Sequence, residues 1–160
     1  MSSQLQKLNT LGQSYSYPCV YPVAPILHIT PHITAKADSG ATSHYLKSEH
    51  IPSLTNVTPL FHCLSAMLPN NTTITATNQE TLPFAAALSH KAKKALIFPG
   101  LSNESLLSIG QFCDDNCTAI FTKESVFILK QGALLIHGKQ NTTDGLWDIR
   151  LPSPVQQKLL

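Results

Sequence analysis

Three short apolar segments, Thr118 to Phe121, Val126 to Leu129 and Ala133 to His137, are joined only by Thr122-Lys123-Glu124-Ser125 and Lys130-Gln131-Gly132. Connectors this short reverse the chain, whereas a parallel return needs a crossover of about a dozen residues. An antiparallel meander is therefore expected there. The same pattern recurs upstream. Ile33 to Ala37, Leu60 to Leu64 and the β-branched run Thr72 to Thr77 read as strands, and Pro69-Asn70-Asn71 before the last reads as the turn of a hairpin. Leu96-Ile97-Phe98 is a buried strand stopped by Pro99-Gly100. Two segments pull the other way. Ala85 to Lys94 has high helix propensity. Within Ser105 to Asp115, Leu106, Ile109, Phe112 and Cys113 have the three-and-four spacing of a short amphipathic helix. The expectation is a mainly antiparallel all-β fold with one short helix.

A chain of 160 residues fits one domain with a real core. Charged residues make up only 12%, while Thr, Ser, Asn and Pro are plentiful, which suits a β-rich fold with many turns. The net charge of +2 and the single arginine, Arg150, give no ground for nucleic-acid binding. Lys91, Lys93 and Lys94, the one basic cluster, read as a solvated turn or strand end. No apolar run reaches the roughly eighteen residues of a spanning helix, and the first thirty residues lack the pattern of a secretory signal. Cys19, Cys63, Cys113 and Cys117 match no disulfide scaffold and read as reduced thiols, so the expected compartment is the cytoplasm. Residues 1 to about 25 read as a flexible lead-in, with order beginning near Ile26 to Ile29.

Chemistry concentrates in Ala37-Asp38-Ser39-Gly40-Ala41-Thr42. In an acid peptidase two carboxylates face each other across a two-fold axis, share one proton and titrate as a unit. One activates a water and the other protonates the peptide carbonyl. Asp38 would supply the carboxylate and Ser39 a hydroxyl that bonds across the axis. Gly40 would let the backbone approach and donate an N–H, and Thr42 would bond back to the turn. Only one such triplet occurs here, so the second carboxylate would come from a second chain. Other constellations are weaker. His28, His32, His44, His50, His62 and Cys63 show no paired metal-ligand spacing, and no metal or organic cofactor is expected. His62 and Cys63, adjacent on a strand, face opposite ways and make no dyad. Cys113 and Cys117 flank Asp114-Asp115-Asn116 and could ligate a metal, Asp114 and Asp115 read as solvated acids at a helix end, and Trp147 reads as a packing anchor.

Four ordered motifs resemble the protease region of copia-type LTR-retrotransposon Pol polyproteins, over roughly residues 30 to 150. They are Ala37 to Tyr45, Ile97-Phe98-Pro99-Gly100-Leu101, Leu106 to Asp115, and Gly145-Leu146-Trp147-Asp148-Ile149. The resemblance implies a retropepsin-like antiparallel β-barrel over residues 26–140, after the lead-in and before the start of a pre-integrase segment at 141–160. It implies an aspartic endopeptidase that works as a homodimer on extended polyprotein segments, with Asp38 catalytic in each copy. Leu106-Leu107-Ser108 would be the strand behind the active site, with Ser where many relatives of the fold carry Gly. Ile109 to Asp115 would be the helix that follows and Cys117 to Phe121 the next strand, which implies core thiols at Cys113, on the helix's packing face, and at Cys117. The hairpin around Asn70-Asn71 would be the flap over the substrate. The family's flanking zinc knuckle and integrase are absent from this sequence, which reads as an excised fragment or a co-opted open reading frame. Lys36 puts a charge in the strand that leads to Asp38. A non-catalytic barrel kept as a structural or protein-binding module therefore stays open as the alternative.

Overall fold

The computed structural model describes residues 32–152, so the lead-in, His28, Cys19 and the last residues lie outside it. Ten strands form one sheet: β1 Thr34–Asp38, β2 His44–Lys47, β3 Thr58–Met67, β4 Thr73–Thr81, β5 Lys94–Phe98, β6 Ser105–Ser108, β7 Cys117–Phe121, β8 Ser125–Lys130, β9 Ala133–Gln140 and β10 Trp147–Arg150. Their spatial order is β3-β4-β5-β2-β6-β1-β10-β9-β8-β7. The class is mainly β, as the sequence implies.

The strand positions follow from period-two burial. In β4, Ile74 and Ala76 point inward while Thr73 and Thr75 face out. In β8, Val126 and Ile128 are fully buried between half-buried neighbours. The meander β7-β8-β9 is antiparallel, with Ile120 opposite Phe127 and Phe127 opposite His137. The turn residue Gln131 has φ 51° and Gly132 φ 80°, the left-handed pair that a tight reversal requires.

Three expectations are corrected. First, the sheet is not closed into a barrel, although it is mainly antiparallel as expected. Its edges are β3 and β7, and both β1–β6 and β2–β5 run parallel. The chain between these partners is long enough to cross over, which no local signal reports. Second, Ser105 to Asp115 is not one helix. Ser105–Ser108 pairs with β1 as a strand, and helix α2 covers only Ile109–Cys113. Leu106 therefore belongs to a period-two element and Phe112 to a period-3.6 one. The helical part of Ala85 to Lys94 likewise shrinks to α1, His90–Lys93, capped by the Ser89 side chain, which accepts the Ala92 N–H. With the 3-10 turn Ser48–Ser53, the described residues hold three short helical pieces rather than one. Third, the sheet does not stop at residue 140, the boundary expected for the barrel. Strand β10 lies between β1 and β9, with Ile149 opposite Ala35.

Two apolar clusters hold the sheet. The larger joins Ala35, Leu46, Ile97, Leu107, Val126, Ile128 and Ile149 to Phe112 of α2 and to Leu82, Phe84 and Leu88 before α1. Full burial of a side chain such as Phe112 stabilises the fold by roughly 1.5–3 kcal/mol. The smaller cluster, Ala66, Ile74, Ala76, Phe98 and Leu101, lies under the β3–β4 hairpin. Cys117 is buried as expected, but Cys113 is exposed, because α2 turns Ile109 and Phe112 inward instead. Asp114 is exposed, whereas Asp115 accepts from Lys130 Nζ at 2.8 Å and from the Ser89 N–H at 3.0 Å, bonds that hold its carboxyl down at about 2. Trp147 stacks edge-on against Phe121 and its Nε1–H donates to the Thr122 carbonyl at 3.0 Å. No helix among the described residues is long and apolar enough to cross a membrane.

Candidate active site

Strand β6 lies between β1 and β2, the two strands that the Asp38 turn connects. It runs parallel to β1 and antiparallel to β2, with Ser108 in register with Asp38 and Leu106 opposite Tyr45. A strand threaded between the two arms of a turn fixes that turn from below. Ser39 to Thr42 then lead back into β2.

The Asp38 carboxylate ends β1, half-buried. Its Oδ1 accepts the Gly40 N–H at 2.7 Å. A Cβ at position 40 would stand only 3.3 Å from that oxygen, so glycine keeps the approach open. The donor expected of Gly40 is in place. Ser39 is exposed at the tip of the turn, and Ala41 is buried beneath it. Thr42 departs from expectation. Its hydroxyl bonds the Tyr45 hydroxyl at 2.7 Å, not the turn, because β2 brings the phenol alongside. Tyr45 in turn packs edge-on against Phe98 at 5.0 Å, linking the turn to the cluster under the hairpin.

Behind the turn, Leu107 and Ser108 are fully buried and Leu106 is half-buried. The Ser108 hydroxyl donates to the Ala41 carbonyl at 2.6 Å and accepts the Gln111 N–H at 3.1 Å, so one side chain caps α2 and holds the turn. The Ser108 N–H donates to Nδ1 of His44 at 2.9 Å. Nδ1 is thus the acceptor, and Nε2 carries the proton toward the Ala92 carbonyl, also at 2.9 Å. Burial pushes the imidazole down to about 4 against the opposing pull of the Ala92 carbonyl. The Gln111 amide completes the network. Its Oε1 accepts the His44 N–H at 2.9 Å, and its Nε2 donates to the Lys91 and Lys94 carbonyls, both at 2.7 Å. The basic cluster therefore serves the site through backbone carbonyls. Lys91 is exposed as expected, while Lys93 and Lys94 are half-buried.

Lys36, the charge expected to sit badly in β1, is buried and doubly paired. Its ammonium lies 2.5 Å from Asp144 and 2.6 Å from Asp148. Burial alone would lower its pKa, but the bonds to the two aspartates outweigh that and raise it. Asn70 and Asn71 form the β3–β4 turn. Asn71 has φ 64°, and Asn70 Oδ1 accepts the Thr72 N–H at 3.0 Å. Among the described residues no hydrogen bond joins this tip to the Asp38 turn. Three strands, β4, β5 and β2, separate β3 from β6 in the sheet.

The structure therefore brings Asp38, Gly40, Ala41 and Ser108 together and leaves Asn70 and Asn71 at the far hairpin. His44 and Gln111 are the site residues that sequence reasoning missed. Gln111 is a polar residue inside a mainly apolar stretch, a signal that could have marked it, whereas His44 sits among polar neighbours and carried none; 67 residues separate the two. His44, His50, His62 and Cys63 do not converge, and no group of three metal-ligating side chains occurs among the described residues. No protein-family model, curated protein or solved structure matches the chain.

Proposed function

We propose that this chain is an aspartic endopeptidase of the retropepsin type, active as a homodimer in which each copy contributes Asp38. One observation carries the proposal. The Asp38 carboxylate is held by the Gly40 N–H on a turn braced by a strand inserted between its two arms, with the Ser108 hydroxyl on the Ala41 carbonyl. That is a rigid, solvent-reaching acid with no cationic partner of its own among the described residues, the form that a two-fold carboxylate pair requires. In the dimer the ionised Asp38 takes a proton from a water held between the two copies. The resulting hydroxide adds to the peptide carbonyl carbon as the protonated Asp38 donates to the carbonyl oxygen. The adduct then collapses, the C–N bond breaks, and the carboxyl that took the water's proton passes it to the leaving amide nitrogen. The substrate is an extended polypeptide, bound by strand-like pairing.

Exposed apolar side chains support a partner. On edge strand β3, Phe61 is 91% and Met67 71% exposed, surface that an isolated chain gains nothing by showing. Cys63, Cys113 and Cys117 are free thiols, which accords with a reducing cytoplasmic setting.

The test is peptide cleavage at mildly acid pH by wild type and Asp38→Asn, each at a concentration where sedimentation demonstrates the dimer. Wild type is expected to cleave, with activity rising steeply with concentration, and the variant to be inert at unchanged stability. Equal turnover by both proteins, or a wild-type dimer without turnover, refutes the proposal. The second result favours a binding module built on the same sheet.

A further inference from the structure

We propose that His44 is the positioning residue of the Asp38 site: its neutral imidazole clamps β6 and α1 against the catalytic turn, and protonation of that ring releases the clamp. The inference rests on the reading of Asp38 as the catalytic acid.

His44 is fully buried and starts β2, the arm that leaves the Asp38 turn. Each of its polar groups is used once. The N–H goes to Gln111, Nδ1 receives Ser108, and Nε2–H goes to Ala92. The ring thus ties β2 to β6 and α1, and the backbone N–H ties it to α2. Ser108 is the next link, because its N–H meets the imidazole while its hydroxyl meets the Ala41 carbonyl inside the turn. The path from imidazole to turn therefore runs through one residue.

Charging the ring reverses one bond. With both nitrogens protonated, Nδ1 becomes a donor aimed at the Ser108 N–H, so an accepted bond turns into donor facing donor. Nothing nearby compensates. The ring meets Ser108 from β6, Phe112 from α2 and Ala92 from α1, none of which ionises. The charged or titratable groups on those elements, on the paired strand β5 and on β2 itself are His90, Lys91 and Lys93 on α1, Cys113 on α2, Lys94 on β5, and Tyr45 and Lys47 on β2. No carboxylate pairs with the ring, and burial dominates its acidity. Relief comes only by separating β6 from β2, which loosens the Ala41 carbonyl and with it the turn.

Wild-type protein labelled with 15N and 13C is titrated by NMR from pH 7 to pH 3. The His44 ring is expected as the Nε2–H tautomer at neutral pH. Its protonation is expected to move the amide signals of Ser108 and residues 38–42 along one common titration curve. In parallel, the pH profile of kcat is measured for wild type and His44→Asn, whose Oδ1 replaces Nδ1 as acceptor without titrating. Wild-type kcat is expected to lose at least tenfold as His44 charges, and the variant to lack that acid limb although its kcat is lower throughout.

Turn amides that stay still while the ring titrates overturn the inference. So does global loss of structure before the ring charges, or an acid limb identical in the two proteins. A wild-type dimer that never cleaves refutes the peptidase reading instead. The NMR titration, which needs neither turnover nor a variant, still decides whether His44 holds the turn.

Discussion

Replacing Asp144 and Asp148 together by Asn should destabilise the fold far more than the two single changes summed. The Lys36 side chain is only 6% exposed, while those of Asp144 and Asp148 are 38% and 27% exposed. Either carboxylate alone keeps a partner within bonding distance of the ammonium, so each single change costs little. The double change leaves a buried ammonium among neutral amides. Breaking a buried pair in this way costs about 3–5 kcal/mol, and water reaching the two aspartates favours the lower end. Against a total stability of roughly 5–15 kcal/mol for a domain, that is a large fraction. The assay is guanidinium denaturation at pH 7 on the four proteins of the double-mutant cycle, with the slope checked for constancy. Adding Lys36→Met to the double variant should restore most of the loss, since an apolar side chain of similar volume has no charge to strand. The pH dependence has two ends. With its pKa raised, Lys36 contributes fully below the ordinary lysine value and loses its contribution as pH rises through the raised one. At the acid end the contribution fades as Asp144, held low by the Lys36 bond, takes up a proton. Additive single and double effects, with no recovery on Lys36→Met, would refute the reasoning.

Between pH 6.5 and about 4 the unfolded chain binds a proton at position 44 that the folded one refuses, so stability falls as pH drops through that window and levels off below it. The loss from this group is roughly 3 kcal/mol, read as the difference in denaturation free energy between wild type and His44→Asn at pH 7 and pH 4. If the two proteins lose stability in parallel, His44 is not the cause. Gly138→Ala would put a Cβ 2.6 Å from the Asp148 carbonyl oxygen and 2.8 Å from both Ile149 and Val126, so β9 and β10 must part. Thermal unfolding should show a loss of about 1–3 kcal/mol, and an unchanged midpoint would mean that the strands are not packed so closely. At Gly132 the same substitution meets no atom within 4 Å and is strained only by its φ of 80°, so it should cost less.

Where burial alternates along a strand, the fold was legible. Ile74 and Ala76, Val126 and Ile128, and the short turns between β7, β8 and β9 carry their geometry in neighbouring residues. What escaped was long-range. The parallel pairs β1–β6 and β2–β5 join segments far apart in the chain, and nothing in Ser105-Leu106-Leu107-Ser108 alone distinguishes a strand from the first turn of a helix. The structure separates the two by pairing Ser105–Ser108 with β1 and coiling Ile109–Cys113 as a helix. Lys36 misled for the same reason. A lysine in an apolar strand looks wrong until the distant segment carrying Asp144 and Asp148 is brought beside it. The turn at Asp38 was legible, yet its supports, His44 and Gln111, were not, because a buried imidazole and a buried amide look solvent-facing in a linear chain.

The pairing of Lys36 bears on the carboxylate proposed as catalytic. Lys36 and Asp38 alternate along β1 and so point to one face, roughly two residue rises apart. A lone ammonium there would favour full ionisation of any carboxylate pair formed across a two-fold axis and would work against the shared proton that the proposed mechanism needs. Asp144 and Asp148 engage that ammonium from the loop before β10 and from β10 itself. The strand that lies beyond the expected end of the barrel therefore does more than extend the sheet, because it engages a charge that would compete with the proposed carboxylate pair. It follows that the Asp144→Asn, Asp148→Asn double variant, examined at a denaturant-free temperature where it remains folded, should lose cleavage on the side where the pair gives up its shared proton. The alkaline limb of its pH profile should move toward lower pH relative to wild type. An unmoved alkaline limb would leave the two aspartates a role in stability alone.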